Sequence, residues 1–185
     1  NTPVIFEVYE GDGLLEPGEE VAGRSLIRLT DDSGRAQVRY QLGSRAGAGN
    51  QQVRVFLPNT PLVQQFYASA QTAVPNTLGV IAGNNQRGAI RQALPLPLMV
   101  AVTDAGTNLV PEVAVTFEVT EGTGRFPDGS QTITRMTDAD GRASTVFILG
   151  VEEGYDQQRV IARIAESPAV ATFTASGFMP KTVGN

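Results

Sequence analysis

The chain has 185 residues, 14 Lys+Arg against 19 Asp+Glu for a formal net charge of -5, and 41% hydrophobic residues, with no Cys, His or Trp. That balance argues against nucleic-acid binding, which needs a basic face; scattered arginines and a longest apolar run, 93–102, broken by Pro95 and Pro97 argue against direct membrane insertion. Without His or Cys there is no Ser-His-Asp triad, no disulfide and no thiolate or imidazole metal site, so no catalytic residue and no cofactor is expected.

Abundant Gly and Pro predict short strands joined by turns. The first strand is Val4-Ile5-Phe6-Glu7-Val8, and Glu10-Gly11-Asp12-Gly13 follows as a turn or bulge. A loop rich in Glu, Pro and Gly comes next, with the acidic pair Glu19-Glu20. Thr30-Asp31-Asp32-Ser33-Gly34-Arg35-Ala36 is a turn, after which Ala36, Val38, Tyr40 and Leu42 share one face of a strand. Phe66-Tyr67-Ala68-Ser69-Ala70 closes this half, and 71–76, containing Pro75, reads as a short linker.

The second half opens with strands at 78–82 and 98–103 and a turn at Asp104-Ala105-Gly106, and then repeats the first half. Val115-Thr116-Phe117-Glu118-Val119 matches the strand around Phe6, and Glu121-Gly122-Thr123-Gly124 matches the segment around Asp12. Thr137-Asp138-Ala139-Asp140-Gly141-Arg142-Ala143 matches the turn at Asp31, and Phe173-Thr174-Ala175-Ser176-Gly177 matches the strand at Phe66. The register slips by four residues between Gly13 and Arg28, which places an insertion there. Ala143, Thr145, Phe147 and Leu149 share a face, as do Val160, Ala162 and Ile164, and then Ala171, Phe173 and Ala175. The first copy has no counterpart of the leading strands, so it lacks about two of them; a chain that starts at Asn1 without Met reads as a fragment.

Candidate sites are few. Asp31, Asp32, Asp138 and Asp140 offer oxygen ligands in the manner of a calcium loop, but no bidentate carboxylate ends the run, and Asp followed by Gly is the chemistry of a turn; no metal is expected. Glu152-Glu153 and Glu19-Glu20 read as solvated loop charges rather than a glycosidase pair. Phe6, Phe117, Tyr40, Phe147, Phe66 and Phe173 recur in register on the apolar faces and are expected in the cores. Tyr9, Phe56 and Tyr67 fall on the opposite phase in the first copy alone, and form a candidate contact patch for a glycan or protein ligand. The one lysine, Lys181, lies in the tail, away from any core where a Lys-Asn crosslink would form.

The run Gly83-Asn84-Asn85-Gln86, then Ala93-Leu94-Pro95-Leu96-Pro97-Leu98, then Val100-Ala101-Val102-Thr103-Asp104 resembles the opening of the group 1 bacterial Ig-like domain, of the invasin/intimin type, and the second-half motifs around Phe117 and Asp138 continue the pattern. The chain departs from that family at Asp104-Ala105-Gly106-Thr107-Asn108, where Gly is more often followed directly by Asn. The resemblance implies an all-β fold of tandem immunoglobulin-like β-sandwiches, the first lacking its leading strands: a partial domain at 1–70, the linker at 71–76, a complete domain at 77–177 and a tail or next linker at 178–185. It further implies a non-catalytic spacer of an exported bacterial surface protein, adhesin-like, at the cell surface, the exterior or the periplasm, whose partners are neighbouring Ig-like modules of the same chain.

Overall fold

Period-two alternation yields strands along the whole chain, and the computed structural model, which describes residues 1–165 and 167–179, holds no helix among them. Lys181 and the rest of the tail from residue 180 lie outside the described residues. The fold is all-β and divides into two units, Asn1–Thr72 and a second from Ala73 onward.

Unit 1 contains β1 (Pro3–Glu10), β2 (Leu14–Leu15), β3 (Ser25–Leu29), β4 (Tyr40–Gln41), β5 (Gly47–Phe56) and β6 (Val63–Ala70). Four of them form one antiparallel sheet in the order β3-β1-β5-β6, while β2 pairs only with β4. Unit 2 contains β7 (Thr77–Ala82), β8 (Gln86–Ala89), β9 (Leu98–Thr103), β10 (Ala114–Glu121), β11 (Thr132–Met136), β12 (Arg142–Thr145), β13 (Gly154–Ile164) and β14 (Val170–Phe178). Here two sheets, β11-β10-β13-β14-β8 and β12-β9-β7, make the sandwich. All pairs are antiparallel except β14 with β8.

The matched segments of the two units share their irregularities. The β1–β5 ladder shifts register between Val8 and Glu10, and the β10–β13 ladder between Val119 and Glu121. A second shift falls at Gly47/Gln51 in one unit and Gly154/Gln158 in the other. Leu15, wholly buried, occupies the place of the equally buried Phe126. The Leu15 N–H reaches the Gly23 carbonyl at 2.9 Å, as the Phe126 N–H reaches that of Ser130 at 2.9 Å, which confines the four-residue insertion to the turn between Leu15 and Gly23.

Three expectations change. Unit 2 has a third leading strand, β8, between the two expected; its Arg87 and Gly88 interrupt the apolar alternation, so no period marks it. Residues 35–38 of unit 1, expected as a strand, make no ladder, because β9, the partner of the equivalent β12, has no counterpart there. Finally, the repeated aromatics share a face but not a core. Phe117, Phe147 and Phe173 join one large cluster with Leu98, Val100 and Val102 of β9, and the Phe117 and Phe173 rings sit 6.4 Å apart. In unit 1 the core is Phe6, Val8, Leu15 and Val53 with half-buried Ala36, Val38 and Tyr40, and Phe66 is 58% exposed where Phe173 is 1% exposed.

Calorimetry is expected to show two transitions, unit 1 melting first. Phe173→Ala should cost about 3–5 kcal/mol and lower only the upper transition, whereas Phe66→Ala should stay within about 1 kcal/mol. Equal losses from the two changes would mean that Phe66 is covered in solution.

Candidate functional site

The most elaborate polar arrangement is a clasp around a buried glutamine, present in both units. Gln51 and Gln158 are almost wholly buried at the register shifts of β5 and β13. In unit 1 the Gln51 Oε1 accepts from the Tyr40 hydroxyl at 3.0 Å and the Gly43 N–H at 3.2 Å, and its Nε2 donates to the Arg45 carbonyl at 3.2 Å. In unit 2 the Gln158 Oε1 accepts from the Gly124 N–H at 3.0 Å, and its Nε2 donates to the Glu152 carboxylate at 2.5 Å. A buried amide left unpaired would cost roughly 1–3 kcal/mol, so these partners are what permits burial. Gly11 and Gly122 (φ +91° and +88°) lie against the two glutamine side chains, where any Cβ would strike the amide group.

A carboxylate braces each clasp, from opposite sides in the two units. In unit 1 it is Asp12, between the two glycines, which accepts from the Ser44 N–H at 3.0 Å and hydroxyl at 2.6 Å. In unit 2 Thr123 stands in that place, and the carboxylate is Glu152 on the facing loop, accepting from the Thr123 N–H at 3.1 Å and hydroxyl at 3.0 Å. Burial works against the Glu152 charge, but the Thr123 N–H and the Gln158 amide outweigh it and hold the carboxyl at about 2, below its ordinary 4.5. Hydrogen bonds from Ser44 likewise hold Asp12 well below the usual carboxylate range. Glu152 is therefore a structural brace and not the free loop charge that its position beside Glu153 suggested.

The Asp31 and Asp138 segments are turns built alike. The Asp31 Oδ1 accepts from the Ser33 and Arg35 N–H groups at 3.0 and 2.9 Å, and the Asp138 Oδ1 from the Asp140 and Arg142 N–H groups at 2.9 Å each. The Arg35 and Ser33 contacts lower the Asp31 pKa. Asp32 and Asp140 are exposed, and Asp140 enters the Asp138 turn through its backbone N–H. Among the described residues no group of three or more acidic side chains converges as a metal cage. In the insertion, Glu16 accepts from the Arg39 N–H and Nε at 3.1 Å each, and Glu19 takes Arg39 Nη2 at 2.6 Å. The Asp104 departure also has a use: its buried carboxylate accepts from the N–H groups of Ala73 and Asn108, at 2.9 Å each, pinning the start of unit 2.

Tyr9, Phe56 and Tyr67 fall by register on the outer face of the unit 1 sheet. Arg54, paired to Glu7 at 2.6 Å, lies 4.9 Å from the Tyr9 ring centre and 5.5 Å from that of Phe56, so the structure brings these two together on one guanidinium. Tyr9 and Tyr67 are 55% and 64% exposed, and Phe56 is half-buried beneath Arg54. The matching positions of unit 2 are Thr120, Arg163 and Thr174, so the patch belongs to unit 1 alone. The opposite face of the same sheet holds a groove of about 280 Å³ lined by Val38, Tyr40, Val53 and Phe66 among others. Sequence reasoning missed the glutamine clasps; the available signal was a Gln at matching places in the two halves, 51 and 158.

No family model matches the chain, and no curated protein matches it. Among solved structures it is similar to domains 4-9 of the surface layer protein SbsC, at 12% identity and TM-score 0.42, over 100% of this chain and 32% of that one. It is also similar to two structures of a glycosyl hydrolase family 2 member from Bacteroides cellulosilyticus. One is 16% identical with TM-score 0.40, covering 89% and 21% of the two chains; the other is 12% identical with TM-score 0.40, covering 94% and 22%. The chain spans less than a third of the length of each.

Two predictions follow from the clasps and turns. A carboxyl whose folded pKa is depressed stabilises the fold above its unfolded pKa and loses that effect as pH falls, so unit 2 should lose stability between pH 4.5 and about 2 as Glu152 protonates. Glu152→Gln should flatten that part of the unit 2 melting profile; an unchanged slope would remove Glu152 from the brace. At Gly141 (φ +65°) a Cβ would lie 2.9 Å from Leu109 Cβ, whereas at Gly34 (φ +78°) it meets nothing. Gly141→Ala should therefore cost clearly more than Gly34→Ala, for which about 1 kcal/mol of backbone strain is expected. Thermal melts of the two variants compare them directly.

Proposed function

We propose that the chain is a non-catalytic pair of structural, spacer-type modules of an exported bacterial surface protein, of the adhesin-like kind that the invasin/intimin resemblance implies. The observation that carries this reading is that the polar groups common to both copies are consumed inside each unit. Gln51 and Gln158, Asp31 and Asp138, and the braces Asp12 and Glu152 all hold backbone or neighbouring side chains. The depressed carboxyl pKa values of Asp12, Asp31 and Glu152 come from hydrogen bonds that fix loops, which suits structural turns rather than proton transfer. Asp104 supports a serial role as well: by pinning the Ala73 N–H it leaves only residues 71 and 72 between the end of β6 and the first anchored residue of unit 2.

A second reading, a module that recognises a glycan or a host protein, is favoured by the Tyr9, Arg54 and Phe56 cluster, because the equivalent face of unit 2 carries Thr and Arg instead.

Limited proteolysis and a binding screen test the pair. The intact chain is expected to resist cutting at 71–76 and Asp104→Ala to admit it; equal cutting would remove the anchored tether. Glycan arrays and immobilised host-surface proteins are expected to stay silent. Binding that disappears in Tyr9→Ala or Tyr67→Ala, with melting unchanged, would replace the spacer reading with the second one.

A further inference from the structure

We propose that the open face of unit 1 is a strand-acceptor site for a segment with the apolar strand pattern of residues 77–103. The acceptor has three parts. Phe66, Tyr40 and Val38 line an apolar groove of about 280 Å³, and Phe66 is largely exposed within it. Arg35 is tied to Asp31 through both its N–H and its carbonyl, and residues 36–38 beyond it make no ladder, which leaves their backbone open to a partner strand. On the other side, β6 is the edge of its sheet.

Unit 2 shows what such a face takes. There Leu98, Val100 and Val102 of β9 and Leu78 of β7 complete the cluster around Phe147 and Phe173. β9 runs antiparallel to β12, with Val100 opposite Ala143 and Leu98 opposite Thr145, while β8 runs parallel to β14. Carried onto unit 1 by the repeat, the occupant would place apolar residues opposite Ala36 and Val38 and lay a parallel strand along residues 68–70. The β7–β9 segment of unit 2 meets both places at once, antiparallel at one and parallel at the other, which favours an occupant of that pattern over a second copy.

The clasp that seats the segment is also half preserved. In unit 2 the Asn84 Oδ1 accepts from the Thr174 N–H at 2.9 Å, and the Thr174 hydroxyl donates to Asn85 Oδ1 at 2.7 Å. Tyr67 replaces Thr174 in unit 1 and keeps the backbone N–H without that hydroxyl. The occupant therefore needs an acceptor in the place of Asn84, whereas an Asn in the place of Asn85 gains nothing.

The test compares the full chain with the same chain carrying a copy of its own residues 77–111 joined ahead of Asn1, since residue 112 matches Asn1 in the repeat. Amide exchange at 36–38 is expected to slow by at least about 100-fold in the extended chain, the mark of a cooperative unit rather than a fraying segment. The lower melting transition should rise while the upper one stays. Phe66→Asp should reverse both effects in the extended chain and change little in the original. A synthetic 77–111 peptide added to the original chain should protect the same amides. The proposal is overturned if neither the extension nor the peptide slows exchange at 36–38. It is overturned equally if the original chain forms a dimer that already protects residues 36–38 and Phe66.

Discussion

The antiparallel ladder between β9 and β12 decides how much of each repeat becomes a sandwich. A strand is stable only when its backbone groups find a ladder and its apolar face finds a cover. In unit 2, β9 supplies both at once: its carbonyls and N–H groups pair with residues 142–145, and its Leu98, Val100 and Val102 close over the aromatics of the opposite sheet. In unit 1 nothing plays that part, and the consequences run outward from the gap. Residues 35–38 keep their alternation but lose their strand, Leu42 and Phe66 stand exposed, and the core contracts to the part that one sheet and the β2–β4 ladder can enclose.

What survives in unit 1 is whatever does not depend on the missing cover. The register shifts of β5 and β13, the buried glutamines seated in them and the Asp turns are common to both units because their partners all lie within the shared segments. The carboxylate brace was free to change sides, from Asp12 in one copy to Glu152 in the other, since the requirement is one acceptor bridging two loops and either loop can carry it. Each brace ties a loop N–H to a charged oxygen, a stronger contact than a neutral pair.

The outer faces have diverged in the opposite sense to the inner ones. Unit 2 shows Thr and charged pairs to solvent, with Arg163 to Glu118 at 2.9 Å and Arg159 to Glu121 at 2.8 Å, exposed pairs worth little to stability. Unit 1 gathers Tyr9 and Phe56 on Arg54 and leaves Ile27 and Leu29 exposed nearby on β3. Two copies of one scaffold thus carry different surfaces, as expected where the fold is held by internal contacts and the exterior is left to vary.

The sequence by itself determined the all-β class, the match between its two halves and the turns at Asp31 and Asp138, because period-two alternation and Asp-Gly chemistry are local properties that each segment carries alone. It also set Tyr9, Phe56 and Tyr67 on the phase opposite to the core. It could not show β8, whose four residues lack a period and exist as a strand only beside β14. Nor could it show that Glu152 is a brace, that Gln51 and Gln158 are buried, or that Phe66 and Phe173, matched in sequence, differ so widely in exposure. Those outcomes belong to tertiary structure: hydrogen-bond partners and covering strands come from distant segments, and identical residues are buried or exposed according to whether that distant partner is there.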